Sequence, residues 1–238
     1  MRSVGGLAAR LGCRFVNRSV AAVLLVAVVV AACGSDPAAV TTTTTHPVLP
    51  ERPELAVDQM VAALMRKDVE AIRRLTSDSQ LAIIVALEGG GTEELASMLD
   101  LGVPVEVAEN FWMSFIEGFP ELVGESIEDM EFRTSIPQRV REVEFVSYPV
   151  AFQTAPAGAE WFVRSTEYGW QVDLLATFGG PFASALESLI RRTTDPAVVA
   201  MIKDEAASIE AAYLRQVERG NSERVKNALE GLLELLSG

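Results

Sequence analysis

Residues 160–175, EWFVRSTEYGWQVDLL, decide the fold class. Residues 161–166 (WFVRST) are rich in aromatic and β-branched side chains, Tyr168-Gly169 is a turn signal, and residues 170–175 (WQVDLL) resume the same character. The stretch therefore reads as two strands joined by a tight turn. Upstream, residues 150–154 (VAFQT) and a small-residue turn at 155–159 (APAGA) predict a hairpin with the first of these strands. Further back, Met130-Glu131-Phe132-Arg133 opens a stretch of period two that Val140, Val143, Phe145 and Val146 continue. Four strands joined in sequence by short turns predict an antiparallel meander, which can keep one face packed and the other wet. On this reading Gly179-Gly180-Pro181 ends the sheet.

On either side the apolar period is that of helices. Leu55, Met60, Val61, Leu64 and Met65 fall on one helical face, and Asp68 is placed to cap a second helix holding Val69, Ile72 and Leu75. Residues 81–87 (LAIIVAL) suit a buried helix or a strand, and their helical surroundings favour the helix. Gly89-Gly90-Gly91 breaks it, Thr92 is placed to cap a short helix to Leu101, and residues 104–118 read as a helix. That helix carries Phe111, Phe115 and then Phe119 at spacing four, which with Trp112 reads as a face packed on the sheet. Three helices are expected after the sheet. The first covers residues 182–192, and the second is opened by Thr194-Asp195-Pro196 and runs to about Arg219. The last, beyond Gly220-Asn221-Ser222, sets Val225, Leu229, Leu232, Leu233 and Leu236 on one side, suited to packing on its own domain. The fold class is α+β: N-terminal helices, a four-strand antiparallel meander forming a curved sheet, and three C-terminal helices.

The opening ELAVDQMVAALMRKDVEAIRRLTSD (54–78) and the strands AEWFVRS (159–165) and YGWQVDLLA (168–176) carry a resemblance. In order and pattern, residues 54–178 resemble the superfamily of nuclear transport factor two and ketosteroid isomerase. The "K-D" step at Lys67-Asp68 matches the division between that family's first two helices. The resemblance implies a sheet wrapped around helices with an apolar pocket at the open end. The C-terminal helices, residues 179–238, lie outside the family's usual core and are expected to pack on it as an extension.

The N-terminus has a different logic. Arg2, Arg10, Arg14 and Arg18 precede an uninterrupted apolar run of thirteen residues, 20–32 (VAAVLLVAVVVAA). As a helix that run spans roughly 20 Å, short of the ~30 Å hydrocarbon core of a bilayer. Its length and flanks suit the core of a signal peptide, with positive charge holding the start of the chain inside. Val30-Ala31-Ala32-Cys33 resembles the lipobox of bacterial lipoproteins, with valine where leucine is usual. The resemblance implies removal of residues 1–32 and a diacylglyceryl group on Cys33, placing the protein on the outer face of the cell membrane. Two acyl chains anchor stably where one does not, each buried methylene contributing about 0.8 kcal/mol.

Residues 33–53 then carry the anchoring cysteine and a tether, GSDPAAVTTTTTHPVLPERP, with four prolines and five consecutive threonines. Such composition buries too little apolar surface to offset its ordering entropy, so the tether is expected to be disordered. The threonine run suits either a plain solvated spacer or a sugar-bearing stalk. Of 20 basic residues, four lie before Ala32, leaving sixteen against 33 acidic ones, a net charge of about −17. So anionic a body repels nucleic acid phosphates.

Missing residue types bound the chemistry. Both cysteines, Cys13 and Cys33, lie in the first 33 residues, and the only histidine, His46, is in the tether. The body therefore offers no thiolate, disulfide or imidazole, which excludes a Ser-His-Asp triad and a zinc site. Gly89-Gly90-Gly91 lacks the Lys-Ser/Thr of a phosphate loop, and no calcium loop occurs. No cofactor or metal is expected. Carboxylate and phenol chemistry remains. The family resemblance implies an Asp base with a Tyr donor in an apolar pocket, where burial raises the carboxyl pKa. Asp173, beside Trp170, Val172 and Leu174, is the candidate base of such an isomerase or dehydratase, with Tyr148 or Tyr168 as donor. Its alternation with Val172 and Leu174 argues instead for an outward, solvated strand position. Phe145, Phe152, Trp161 and Trp170 are core or pocket lining. The leading expectation is a non-enzymatic envelope protein binding a small apolar ligand or another envelope protein.

Overall fold

The computed structural model describes residues 48–87, 91–123, 125–151, 159–219 and 223–237. The leader, the lipobox Val30-Ala31-Ala32-Cys33, the threonine run, Gly89-Gly90 and Phe152 lie outside the described residues. Helices α1 (Pro53–Arg66), α2 (Val69–Leu75), α3 (Asp78–Leu87), α4 (Thr92–Leu101) and α5 (Val105–Val123) come first. Strands β1 (Glu131–Phe132), β2 (Ile136–Val140), β3 (Val143–Ala151), β4 (Glu160–Thr166) and β5 (Gly169–Asp173) follow. Helices α6 (Leu174–Arg192), α7 (Pro196–Asp204), α8 (Ala206–Glu218) and α9 (Glu223–Ser237) close the chain. The architecture is the expected α+β order, with a curled antiparallel sheet between two sets of helices.

Local chemistry explains most boundaries. Lys67, left-handed at φ 56°, closes α1, and the Asp68 carboxylate accepts the Ala71 N–H at 3.0 Å to open α2. The Asp195 carboxylate accepts the Ala197 N–H at 2.8 Å, with Pro196 as first residue of α7. Residues 81–87 are helical, within α3. Thr92 is the first residue of α4 rather than its cap; Gly91 precedes it and gives its N–H to the Glu94 carboxylate. Helix α5 runs five residues past 118, through Pro120. The buried face of α1 is Ala56, Val57, Met60, Ala63 and Leu64, whereas Met65 is half exposed. The alanines bring α1 close across β4 and β5, so the apolar stripe turns away from the larger Met65.

In the sheet, β1 and β2 lie one after the other along the same edge of β3, which then pairs with β4 and β4 with β5, all antiparallel. The meander is thus four strands wide, its first strand interrupted at 133–135. The outer edge of β5 is not bare. Thr76 bridges Val172, and the Trp170 N–H donates to the Pro50 carbonyl at 2.8 Å. Leu49 is buried beside it. The end of the Thr/Pro stretch therefore belongs to the fold, correcting the expectation that residues 34–53 are all free tether. Covering a strand edge satisfies backbone groups that would otherwise pair with another chain. Gly169 makes this contact possible. At φ 130° a Cβ there would stand 2.7 Å from the Pro50 oxygen.

The C-terminal third departs furthest from expectation. The last strand ends at Asp173, and Leu174 and Leu175 begin α6, which continues through Gly179-Gly180-Pro181 to Arg192. A Cβ at Gly180 would meet Val225 of α9 at 3.5 Å and Gln216 of α8 at 3.6 Å, so α6 is closely packed against both there. The long helix expected from Asp195 to Arg219 is two helices divided at Glu205. Helix α6 crosses from residue 178 to 179, and one apolar core runs from Ala56 to Leu236, including Leu229 and Leu232 of α9.

Alternation along the strands sorts their side chains onto two faces. Val146, Tyr148, Val150, Trp161, Val163 and Val172 join the main core beneath α1. Phe145, Ser147, Phe162, Arg164 and Asp173 point the other way. That second face is not wet. Helix α8 lies over it, packing Ala207 and Ala211 with Val140, Phe145, Phe162 and Ala176.

Candidate functional site

Helix α8 and strand β4 are tied together at both ends by buried charge. From Glu160 to Arg164 a strand advances about 13 Å, and from Glu205 to Arg215 a helix advances about 15 Å. The matching lengths bring Glu205 to Arg164 and Arg215 to Glu160. The signs suit the helix as well, with the acid at its N-terminal end and the arginines at its C-terminal end.

The first cluster centres on Asp173 and Glu205. Asp173 is fully buried, and Glu205 is 6% exposed. Gln80 Nε2 donates to Asp173 Oδ2 at 3.1 Å and to Glu205 Oε2 at 2.7 Å. Ser208 Oγ lies 2.6 Å from the same Asp173 oxygen and 3.5 Å from the same Glu205 oxygen. Arg164 Nη1 reaches Glu205 Oε2 at 2.7 Å, and Arg164 Nε stands 3.5 Å from Asp173 Oδ2. Ser79 Oγ donates to the remaining Glu205 oxygen at 3.1 Å. Asp173 Oδ1 accepts the Ala176 N–H at 2.7 Å, and Gln80 Oε1 accepts the Leu174 N–H at 2.8 Å. These two acceptors satisfy the first turn of α6, which is why the chain leaves the strand at Asp173 rather than at the glycines.

Two carboxylates thus share one guanidinium. Burial pushes the Asp173 carboxyl above the usual carboxylate range; Arg164 works against that shift and Glu205 adds to it. Arg164 is itself raised, because Asp173 and Glu205 outweigh the opposing effect of burial.

The second cluster is balanced. Glu160, 8% exposed, accepts from Arg215 Nη2 at 2.9 Å and Nε at 3.2 Å, and from Arg219 Nη2 at 2.9 Å. Arg215 also pairs with Glu218. Two arginines therefore face two acids.

The other face of the sheet is aromatic. Ring centroids link Phe111 to Trp112 (5.0 Å), Trp112 to Phe115 (5.8 Å), Phe115 to Phe178 (5.7 Å) and Phe178 to Trp161 (6.3 Å). Phe132 stands edge-on to Tyr148 at 6.2 Å. Trp112 Nε1 is buried there with no hydrogen-bond partner among the described residues, and the Tyr148 hydroxyl is buried on the same face. Ser135, beside the Tyr148 hydroxyl, favours its ionised form. The Tyr148 phenol is pushed up to about 12, chiefly by burial and then by Glu54 and Asp58. A separate groove of about 450 Å³ between α4 and α7 is lined by Leu99, Val198 and Met201, with Asp100 and Asp195 among its walls.

Asp173 is accordingly not the solvated residue that alternation suggested. The period placed it opposite Val172 correctly, but the opposite side is roofed by α8. It bonds to no tyrosine: Tyr148 is on the other face and Tyr168 is exposed at the β4–β5 turn. Nor do the four aromatic candidates share a wall. Phe145 packs under α8, Trp161 joins the aromatic face, Trp170 is half buried, and Phe152 is outside the described residues. Gln80, Arg164, Glu205 and Ser208 carry no sequence signal; the apparent helical continuity across Glu205 hid them. Among the described residues no helix is long and apolar enough to cross a membrane. Comparison with protein-family models, curated proteins and solved structures gives no match for the chain.

Proposed function

We propose that the protein is an exported lipoprotein held on the outer face of the cell membrane through lipid on Cys33, and that its body binds a ligand or partner without transforming it. The observation that carries this reading is Val30-Ala31-Ala32-Cys33, standing where a thirteen-residue apolar run gives way to a Thr/Pro spacer. Docking of Leu49 and Pro50 beside Gly169 means that the spacer joins the body at the β4–β5 end of the sheet. The resemblance of residues 54–178 to the nuclear transport factor two and ketosteroid isomerase superfamily is part of the proposal, supported by α1 and α2 preceding the curled sheet.

The binding reading is favoured over an isomerase- or dehydratase-like enzyme by how Asp173 is used. A general base needs a free oxygen within reach of the proton it removes. Here Oδ1 is taken by the Ala176 N–H, and Oδ2 is shared among Gln80, Ser208 and Arg164. The test is to express Cys33→Ser beside the wild type in a bacterial host and follow acyl labelling and membrane fractionation. The wild type is expected to take up label and sediment with membranes, and the variant to lose both. Label retained by the variant would refute the anchor. Native mass spectrometry of the detergent-extracted protein should then reveal any co-purified apolar ligand.

A further inference from the structure

The contrast between the two ends of α8 has a consequence for proton binding. At the Glu160 end every carboxylate has an arginine. At the Asp173 end two acids crowd the same Gln80 nitrogen and the same Ser208 oxygen, with Arg164 the one cation. Among the described residues no second cation pairs with either acid; α3 presents Ser79 and Gln80 there, and α8 presents Ser208. Burial and the neighbouring Glu205 charge both work against ionisation of Asp173.

We infer that Asp173 keeps a proton while the α7–α8 junction is closed on the sheet, and that this proton acts as the latch. In the latched form the protonated Asp173 Oδ2 donates to Ser208 Oγ, reversing the bond that Ser208 gives a carboxylate there, and Arg164 balances the remaining negative charge. When the proton leaves to solvent, two carboxylates remain against one guanidinium. Asp173 is locked in place by the Ala176 N–H at the start of α6 and has no exposed surface. Glu205 is slightly exposed and stands where α7 ends and α8 begins, so it is the acid that moves toward water. The latch opens at the junction, while the Glu160 clamp keeps the far end of α8 attached.

The sign follows from linkage. A carboxyl whose folded pKa lies above its unfolded value contributes stability that is complete below the unfolded value, near pH 4, and is lost as pH rises through the folded one. Alkaline conditions therefore open the latch and acid closes it. The device does not depend on the membrane address.

Hydrogen exchange on the full-length protein in detergent, read by mass spectrometry from about pH 4 to about pH 8, tests this. After correction for the chemical exchange rate, protection over residues 200–210 should fall about tenfold or more as pH rises, while residues 53–66 stay level. Asp173→Asn keeps an oxygen for the Ala176 N–H and removes the titration, so its profile should be flat. Should that variant fail to fold, Glu205→Gln decides: one acid then faces one arginine, so the pH dependence should shrink, though burial still raises Asp173. A wild-type profile already flat, a pH dependence that persists in Asp173→Asn or, where that variant does not fold, one undiminished in Glu205→Gln would overturn the inference.

Discussion

The two ends of α8 use the same residue types and reach opposite electrostatic results. At the Glu160 end, one buried acid takes two arginines from successive turns of the helix, and Glu218 balances the excess. At the Asp173 end, the acids outnumber the cation, and neutral donors, Gln80 and Ser208, make up part of the difference. The first arrangement resembles a fixed clamp. The second is held together by hydrogen bonds that depend on which groups carry protons. A buried ion pair is poor evidence of net stability, but removing one partner is costly because the other is left charged and dry. The counting of charges at each end, more than the number of contacts, decides how each responds to mutation.

The largest expected effect is at Arg164. Its removal leaves Asp173 and Glu205 with no paired cation among the described residues, and Arg164→Ala should lower unfolding free energy by about 3–5 kcal/mol. Arg215→Ala should cost clearly less, because Arg219 still pairs with Glu160. Urea unfolding of the two variants side by side would break the comparison if the order were reversed. A smaller loss is expected for Gln80→Ala. It orphans the Leu174 N–H and strips a shared donor from both acids, at about 1–3 kcal/mol. Circular dichroism melts should show it, and an unchanged midpoint would mean that Gln80 is not what sets the start of α6. The smallest effect belongs to the outer surface of α8, where Arg141 pairs with Glu210 in contact with water. Arg141→Ala should stay within about 0.5 kcal/mol of wild type, which checks that burial and not ion pairing as such separates these sites.

The two faces of the sheet show where reading the sequence stops. Period two in β4 and β5 separates Val163 and Val172 from Arg164 and Asp173, and both pairs do lie on opposite sides. Alternation cannot tell whether the polar side meets water or another layer, because a buried, fully bonded Asp has the same place in the pattern as a solvated one. Leu174 and Leu175 extended the apparent strand for a related reason. Their local composition suits either state, and the Asp173 cap together with one acceptor from Gln80, more than ninety residues away in the chain, turns the backbone into a helix there.

Much was nonetheless written locally. Helix caps at Asp68 and Asp195, the Tyr168-Gly169 turn and the order of helices, meander and helices all depend on neighbours within a few residues, so the sequence alone determined them. The α8 roof over the second face, the break at Glu205 and the meeting of Gln80, Arg164, Asp173, Glu205 and Ser208 were decided by tertiary structure. They depend on charges brought together from segments distant in the chain, and no local period records which of them will share a buried space.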